Sequence, residues 1–257
     1  DKDEPIIAPI PPLHHQIIYF LSIWSFKTIL NTGLFLRKHL TAPPSSQLTP
    51  LVKPYPVRPT LKNRIFLPPS LVPNAKYPVY FSIHGGGWAI GSPEIDDGFC
   101  SSFCRKNNII VVSLDYRKSP TYKFPFAVTD TTALVLAVLA DSSLPIDGEK
   151  ISIGGFSAGG NLAFAACQDE ELKGKINGLV GFYPVLNSAE SRETKEDRRP
   201  KGEDVPRDGV AWSAMFVDWG YVPQGQDRRD PLLSPRFAGR DVFPGNVYLV
   251  GAEWDML

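Results

Sequence analysis

The run Ile153-Gly154-Gly155-Phe156-Ser157-Ala158-Gly159-Gly160-Asn161 constrains this chain more than any other stretch. Small residues flank one serine at the point where an apolar run ends and a helical pattern begins. A strand can turn straight into a helix only where backbone segments approach closely, and Gly155, Ala158 and Gly159 permit that approach. Such a turn lifts the Ser157 hydroxyl above the sheet. It also aims a helix N-terminus, with its unpaired N–H groups, at any negative charge that develops there. The Ala158 N–H is then one oxyanion donor. A glycine-rich strand exit without chemistry shares the G-x-S-x-G pattern, so the surroundings must carry the reading.

Those surroundings include His84-Gly85-Gly86-Gly87-Trp88, directly after the apolar run Tyr77 to Ile83. Three consecutive glycines leave backbone N–H groups free to reach a substrate oxygen, and Gly86 and Gly87 are the favoured donors. His84 and Gly85 are assigned to support of this loop, with the imidazole holding it through its ring nitrogens.

Apolar runs of strand length recur at Arg64 to Leu67, Tyr77 to Ile83, Ile109 to Leu114, Ile151 to Ile153, Ile176 to Phe182 and Val247 to Val250. Helical stretches such as Phe126 to Ala140 and Ala158 to Leu172 lie between them. Continuous apolar strands alternating with helices predict a doubly wound, mostly parallel α/β sheet covered on both faces. With 257 residues the chain can bury one such core. Residues 1–59 are assigned to an N-terminal cap helix and a proline-rich connector. Residues 60–257 form the catalytic domain, with a cap or loop insertion at about 187–230. Charged Ser188 to Arg207 is expected to be a solvated loop. Val210 to Val222 places Trp212, Met215, Phe216, Trp219 and Tyr221 at near-helical spacing and is expected to pack an apolar face inward.

Balanced charge, 27 basic against 27 acidic residues, gives no field to attract nucleic acid and favours a small, mostly uncharged ligand. Cys100, Cys104 and Cys167 read as buried, inert thiols. Ile17 to Leu36 is interrupted by Lys27, Asn31 and several hydroxyls, which predicts an amphipathic helix resting on the domain or on a membrane surface rather than a span. The start lacks the order of a secretory signal, favouring a cytoplasmic or membrane-associated protein over a secreted one.

Together with Asp115-Tyr116-Arg117, Phe124-Pro125, Asp230-Pro231-Leu232-Leu233-Ser234-Pro235 and Glu253-Trp254-Asp255-Met256-Leu257, the two glycine motifs resemble the hormone-sensitive-lipase-like branch of the α/β hydrolases, the fold-3 group. The resemblance runs from about Tyr77 to Leu257. It implies an α/β-hydrolase fold with a helical cap and an ester substrate. It further implies Ser157 as nucleophile, Gly86, Gly87 and Ala158 as oxyanion hole, Asp255 as triad acid, and no metal or organic cofactor. Phe156 departs from the family, which usually has aspartate there.

All four histidines, His14, His15, His39 and His84, precede Ser157, whereas the resembled family places its catalytic histidine after the acid. The expectation is therefore a chain that lacks its final strand, helix and histidine, and that is close to inactive by itself. Two functions remain open, a serine ester hydrolase and a ligand-binding homologue without a general base.

Overall fold

The computed structural model describes residues 4–41, 44, 46–202 and 211–251. In chain order the elements are α1 (Leu13–Leu40), β1 (Leu51–Tyr55), β2 (Arg58–Phe66), β3 (Tyr77–Ile83), α2 (Asp97–Asn107), β4 (Ile110–Leu114), α3 (Phe126–Leu139), β5 (Ile146–Phe156), α4 (Ala158–Ala166), β6 (Gly178–Phe182), α5 (Arg192–Arg198), α6 (Ala211–Tyr221) and β7 (Asn246–Val250).

The seven strands form one sheet in the order β1-β2-β4-β3-β5-β6-β7. β4, β3, β5, β6 and β7 pair in parallel, and β1 and β2 add an antiparallel flank. β4 is buried along its whole length and β3 nearly so, because both of their faces are covered and every position can be apolar. α3 and α4 cover one face, where Leu134, Val135, Val138, Leu162 and Ala163 join Phe81, Ile83 and Ile153 in the main core. α2 covers the other face, setting Cys100 and Cys104 against Phe66, Tyr80 and Val111.

The connector expected over Thr41 to Pro59 contains an edge strand, β1, whose Pro54 sits where a missing N–H costs no inner ladder bond. The solvated loop expected at Ser188 to Arg207 contains the short exposed helix α5, capped by the Ser191 hydroxyl accepting from the Thr194 N–H. Its remainder from residue 203 lies outside the described residues.

α1 and α6 lie together above the sheet. Fully buried Ile23 packs with Phe216 and Ala89, flanked by Tyr19, Phe26, Ile90 and Val217. The approach is close at Gly220, where a Cβ would stand 2.5 Å from Ile23 Cδ1. α6 thus does more than fill core, since its lower face meets the loop after β3.

Candidate active site

β5 is paired with β3 on one side up to Gly155 and with β6 on the other up to Phe156, and the next residue leaves the ladder. Ser157 sits there at φ 52, ψ −117, a conformation a non-glycine residue holds only under constraint. The constraint is visible. Its N–H donates to the Phe182 carbonyl at 2.9 Å, and its carbonyl accepts from the N–H groups of Asn161 at 3.1 Å and Val185 at 3.4 Å. α4 starts immediately, with Ala158 fully buried as its first residue. A Cβ on Gly159 would run into the Ile83 carbonyl oxygen, so only glycine lets α4 seat against the end of β3.

Phe156 packs as part of an aromatic group beneath this turn. Its ring stacks on Phe182 at 4.8 Å and 16°, and Phe99 meets it edge-on at 5.1 Å. A hydrocarbon stack therefore stands where the resembled family has a carboxylate.

The glycine loop lies beside the serine. A Cβ on Gly85 would be 3.6 Å from Ser157 Cβ and 3.1 Å from the Phe156 carbonyl oxygen. Gly86, at φ +116, accepts from the N–H groups of Ala89 at 3.1 Å and Ile90 at 3.0 Å, which closes a tight turn through its carbonyl. Gly87 has φ +56, and a Cβ there would lie 2.6 Å from Val217 Cγ1. The loop thus runs from the serine turn, against Gly85, to α6, against Gly87, with Gly86 packed on Ile90 between them.

His84 is fully buried under this loop. Its Nδ1 is 2.7 Å from the Gly85 carbonyl oxygen, which can only accept, so Nδ1 carries the proton. Nε2 faces Asp115 Oδ1 at 3.7 Å, beyond hydrogen-bond length, as expected of a bare imidazole nitrogen against a carboxylate. The ring stacks on Tyr116 at 4.5 Å and 13°, and the Tyr116 hydroxyl donates to the His84 carbonyl at 3.2 Å. Burial, with help from the nearby Lys118 charge, pushes the His84 pKa down, so the ring is neutral. Burial would raise the Asp115 carboxyl, but its neighbours His84 and Lys118 outweigh that and hold it at about 2. Lys118 Nζ, 2.5 Å from Asp115 Oδ1, is the dominant partner because the histidine contact is long. With one nitrogen spent on Gly85 and the other turned toward Asp115, His84 is placed to hold the loop.

Several residues bind the cap to this apparatus, and the ties made by Lys27, Ser119 and Lys123 show no local sequence signal. Lys27 of α1 donates to the Ser119 carbonyl at 2.6 Å, while the Ser119 N–H donates to the Trp88 carbonyl at 3.0 Å. Lys123 donates to the Trp219 carbonyl at 2.6 Å. The Trp88 ring lies flat on Tyr221 at 4.2 Å and 3°. Asn161 donates from its amide to the carbonyls of Val185 at 2.8 Å and Leu233 at 2.9 Å, pinning α4 to two loops.

Asp255 lies outside the described residues, as do the rest of the motif from Glu253 to Leu257 and the side chain of Trp212. His14 and His15 are exposed on α1. Cys100, Cys104 and Cys167 are buried free thiols whose pKa values burial pushes up to about 12, about 11 and about 12, so they stay protonated and unreactive.

Comparison with known proteins gives a consistent answer. The alpha/beta hydrolase fold profile matches residues 80–257. An AB hydrolase superfamily protein of Schizosaccharomyces pombe is 36% identical over 74% of this chain and 58% of its own length. The versiconal hemiacetal acetate esterase of Emericella nidulans is 32% identical over 67% of this chain and 59% of its own length. The solved esterase of Pyrobaculum calidifontis superimposes with a TM-score of 0.73 at 26% identity, covering 96% of this chain and 81% of that one. The chain spans about three fifths of the length of the first two, 58% and 59%.

Proposed function

Since this chain belongs to the alpha/beta hydrolase fold family, in its hormone-sensitive-lipase-like branch of esterases, we propose that it is a carboxylic ester hydrolase whose nucleophile is Ser157. The observation that carries the reading is the juxtaposition at the elbow. Ser157 is held at φ 52 on the N-terminus of α4, with Gly85 against its side and Gly86 and Gly87 next in the loop.

In this reading the Ser157 hydroxyl attacks an acyl carbonyl, passing its proton to a general base, and the carbonyl oxygen becomes an oxyanion. The N–H groups of Gly86, Gly87 and Ala158 stabilise that charge. Fixed donors of this kind contribute about 10²–10³ in rate each, because they need no reorganisation when the charge appears. The alcohol leaves, an acyl-serine remains, and water releases the acid. Asp255 would orient the base. The apolar underside of α6, with Phe216 and Val217, suits short to medium acyl chains.

A non-catalytic binding role is favoured by one observation, that His84 is already engaged, its Nδ1 on the Gly85 carbonyl, and so is not free to serve as base to Ser157. The complete polypeptide separates the two. Hydrolysis of p-nitrophenyl acetate and butyrate, with stoichiometric phosphonate labelling that Ser157→Ala abolishes, supports the esterase. Saturable ester binding without turnover or labelling supports the binder.

A further inference from the structure

The segment Asp115 to Ser119, which follows β4, ties down both ends of the glycine loop. At the start of the loop the Tyr116 hydroxyl donates to the His84 carbonyl at 3.2 Å, and at its end the Ser119 N–H donates to the Trp88 carbonyl at 3.0 Å. Lys118 lies between these two ties. Its side chain is only 18% exposed, and its Nζ donates to Asp115 Oδ1 and to the Tyr116 carbonyl at 2.5 Å each, 3.8 Å from the centroid of the Tyr116 ring. Asp115 Oδ1 has two lone pairs. One accepts from Lys118 and the other from the Tyr116 N–H at 2.9 Å. His84 Nε2, 3.7 Å from that oxygen, is left with no hydrogen-bond partner among the described residues.

We propose that Lys118 is a positioning residue for the oxyanion loop, acting through Asp115 to fix the proton of His84 on Nδ1. A neutral imidazole carries one proton, and the bonds open to its two nitrogens decide which of them holds it. A proton on Nε2 would find Asp115 Oδ1 already filled, whereas one on Nδ1 finds the Gly85 carbonyl at 2.7 Å. Without Lys118 the preference reverses, because a buried carboxylate with an open lone pair draws an N–H more strongly than a neutral carbonyl does. Nδ1 would then be bare, and two acceptors would face each other across the contact with Gly85. The consequence reaches the site through one peptide unit. The Gly85 carbonyl and the Gly86 N–H belong to the same rigid plane, so the Nδ1–H bond that holds the first also aims the second. Because Gly86 is taken as an oxyanion donor, this step rests on the esterase reading.

The test is nitrogen NMR of the complete protein with isotope-labelled histidine at pH 9, the His84 signals being assigned by their loss in His84→Gln. Wild type should show a protonated Nδ1 and a bare Nε2. Lys118→Met should put a proton on Nε2, whereas Lys118→Arg, which keeps a cation, should leave Nε2 bare. In Lys118→Met/Asp115→Asn no carboxylate remains to draw the proton, and Nε2 should be bare again. With p-nitrophenyl butyrate at the same pH, kcat should fall about tenfold in Lys118→Met and recover in the double variant, with KM nearly constant because the oxyanion forms only after binding. A role in folding alone would lower the melting temperature and leave Nε2 bare in every variant. The proposal is overturned by a proton on Nε2 in the wild type, a result that needs no variant to fold, by a bare Nε2 in Lys118→Met, or by a protonated Nε2 in the double variant. The spectra need no turnover. A proton that moves as expected in a protein that hydrolyses no ester would sink the esterase reading alone, and hydrolysis with an unmoved proton would sink the role of Lys118 alone.

Discussion

Val217 Cγ1 occupies the space beside Gly87, 2.6 Å from where a Cβ on that glycine would stand. A cap helix thereby fixes the loop assigned to the oxyanion, and a side chain at position 87 has two obstacles, the valine and a φ of +56. They can be separated. Gly87→Ala should lower kcat/KM for short esters by about 10²–10³, the loss of one oxyanion donor. Adding Val217→Ala removes the contact and leaves only the left-handed backbone, which costs alanine about 1–2 kcal/mol. The double variant should therefore recover to within about 30-fold of wild type. A double variant as slow as the single one would show that α6 does not set the loop.

Ser157 predicts a trade between the site and stability. Its φ of 52 with ψ of −117 is sparsely populated for any residue with a Cβ, and such a conformation stores on the order of 1–3 kcal/mol. Ser157→Gly should raise the urea midpoint by an amount equivalent to about 1 kcal/mol, after subtracting the larger entropy of unfolded glycine. Ser157→Ala keeps the Cβ and should leave the midpoint near wild type. Equal midpoints for both variants would mean that the turn is unstrained.

The elbow, the glycine loop and the parallel core were legible in the sequence because each is written in contiguous residues. β3, for instance, is buried almost throughout, so its apolar run announces it. β1 was not, since an edge strand reading Leu-Val-Lys-Pro-Tyr needs neither alternation nor continuous burial. α2 was not legible either, because apolar residues are few in Asp97–Asn107. The bonds from Lys27 to Ser119 and from Lys123 to Trp219 join residues 92 and 96 positions apart, and no local pattern encodes such a pairing. Val217 is hidden for the same reason. Its side chain reads as one more apolar residue of a helix until the fold sets it over Gly87.

The Trp88–Tyr221 stack is the aromatic hinge between loop and cap, with ring planes 3° apart. Both residues are buried, and the Tyr221 hydroxyl has no hydrogen-bond partner among the described residues. A buried hydroxyl without a partner contributes desolvation cost and no bond. Tyr221→Phe should be neutral or slightly stabilising in thermal melts. Tyr221→Ala should cost about 3–5 kcal/mol by leaving a cavity beside Trp88. A destabilisation above about 1 kcal/mol for the phenylalanine variant would show that the hydroxyl is bonded after all.

His84 makes stability depend on pH in a range where most buried groups are silent. Its pKa in the folded protein lies below the ordinary 6.5, first through burial and then through the Lys118 charge. As pH falls below about 6.5 the unfolded chain therefore takes up a proton that the folded one refuses, and folding stability declines by up to about 1.4 kcal/mol per pH unit. The sign is fixed by that order of protonation, with stability complete above the unfolded value and lost on acidification. Asp115, held at about 2 against an ordinary 3.8, adds a second decline between about 4 and 2 as its ion pair with Lys118 is protonated away. His84→Gln keeps an amide able to donate to the Gly85 carbonyl but cannot titrate. Urea midpoints measured at pH 7 and pH 5 should differ in the wild type and much less in His84→Gln, whereas the drop below pH 4 should survive the substitution. An equal drop between pH 7 and 5 in both proteins would place the titrating group elsewhere and leave His84 without its neutral, loop-holding role.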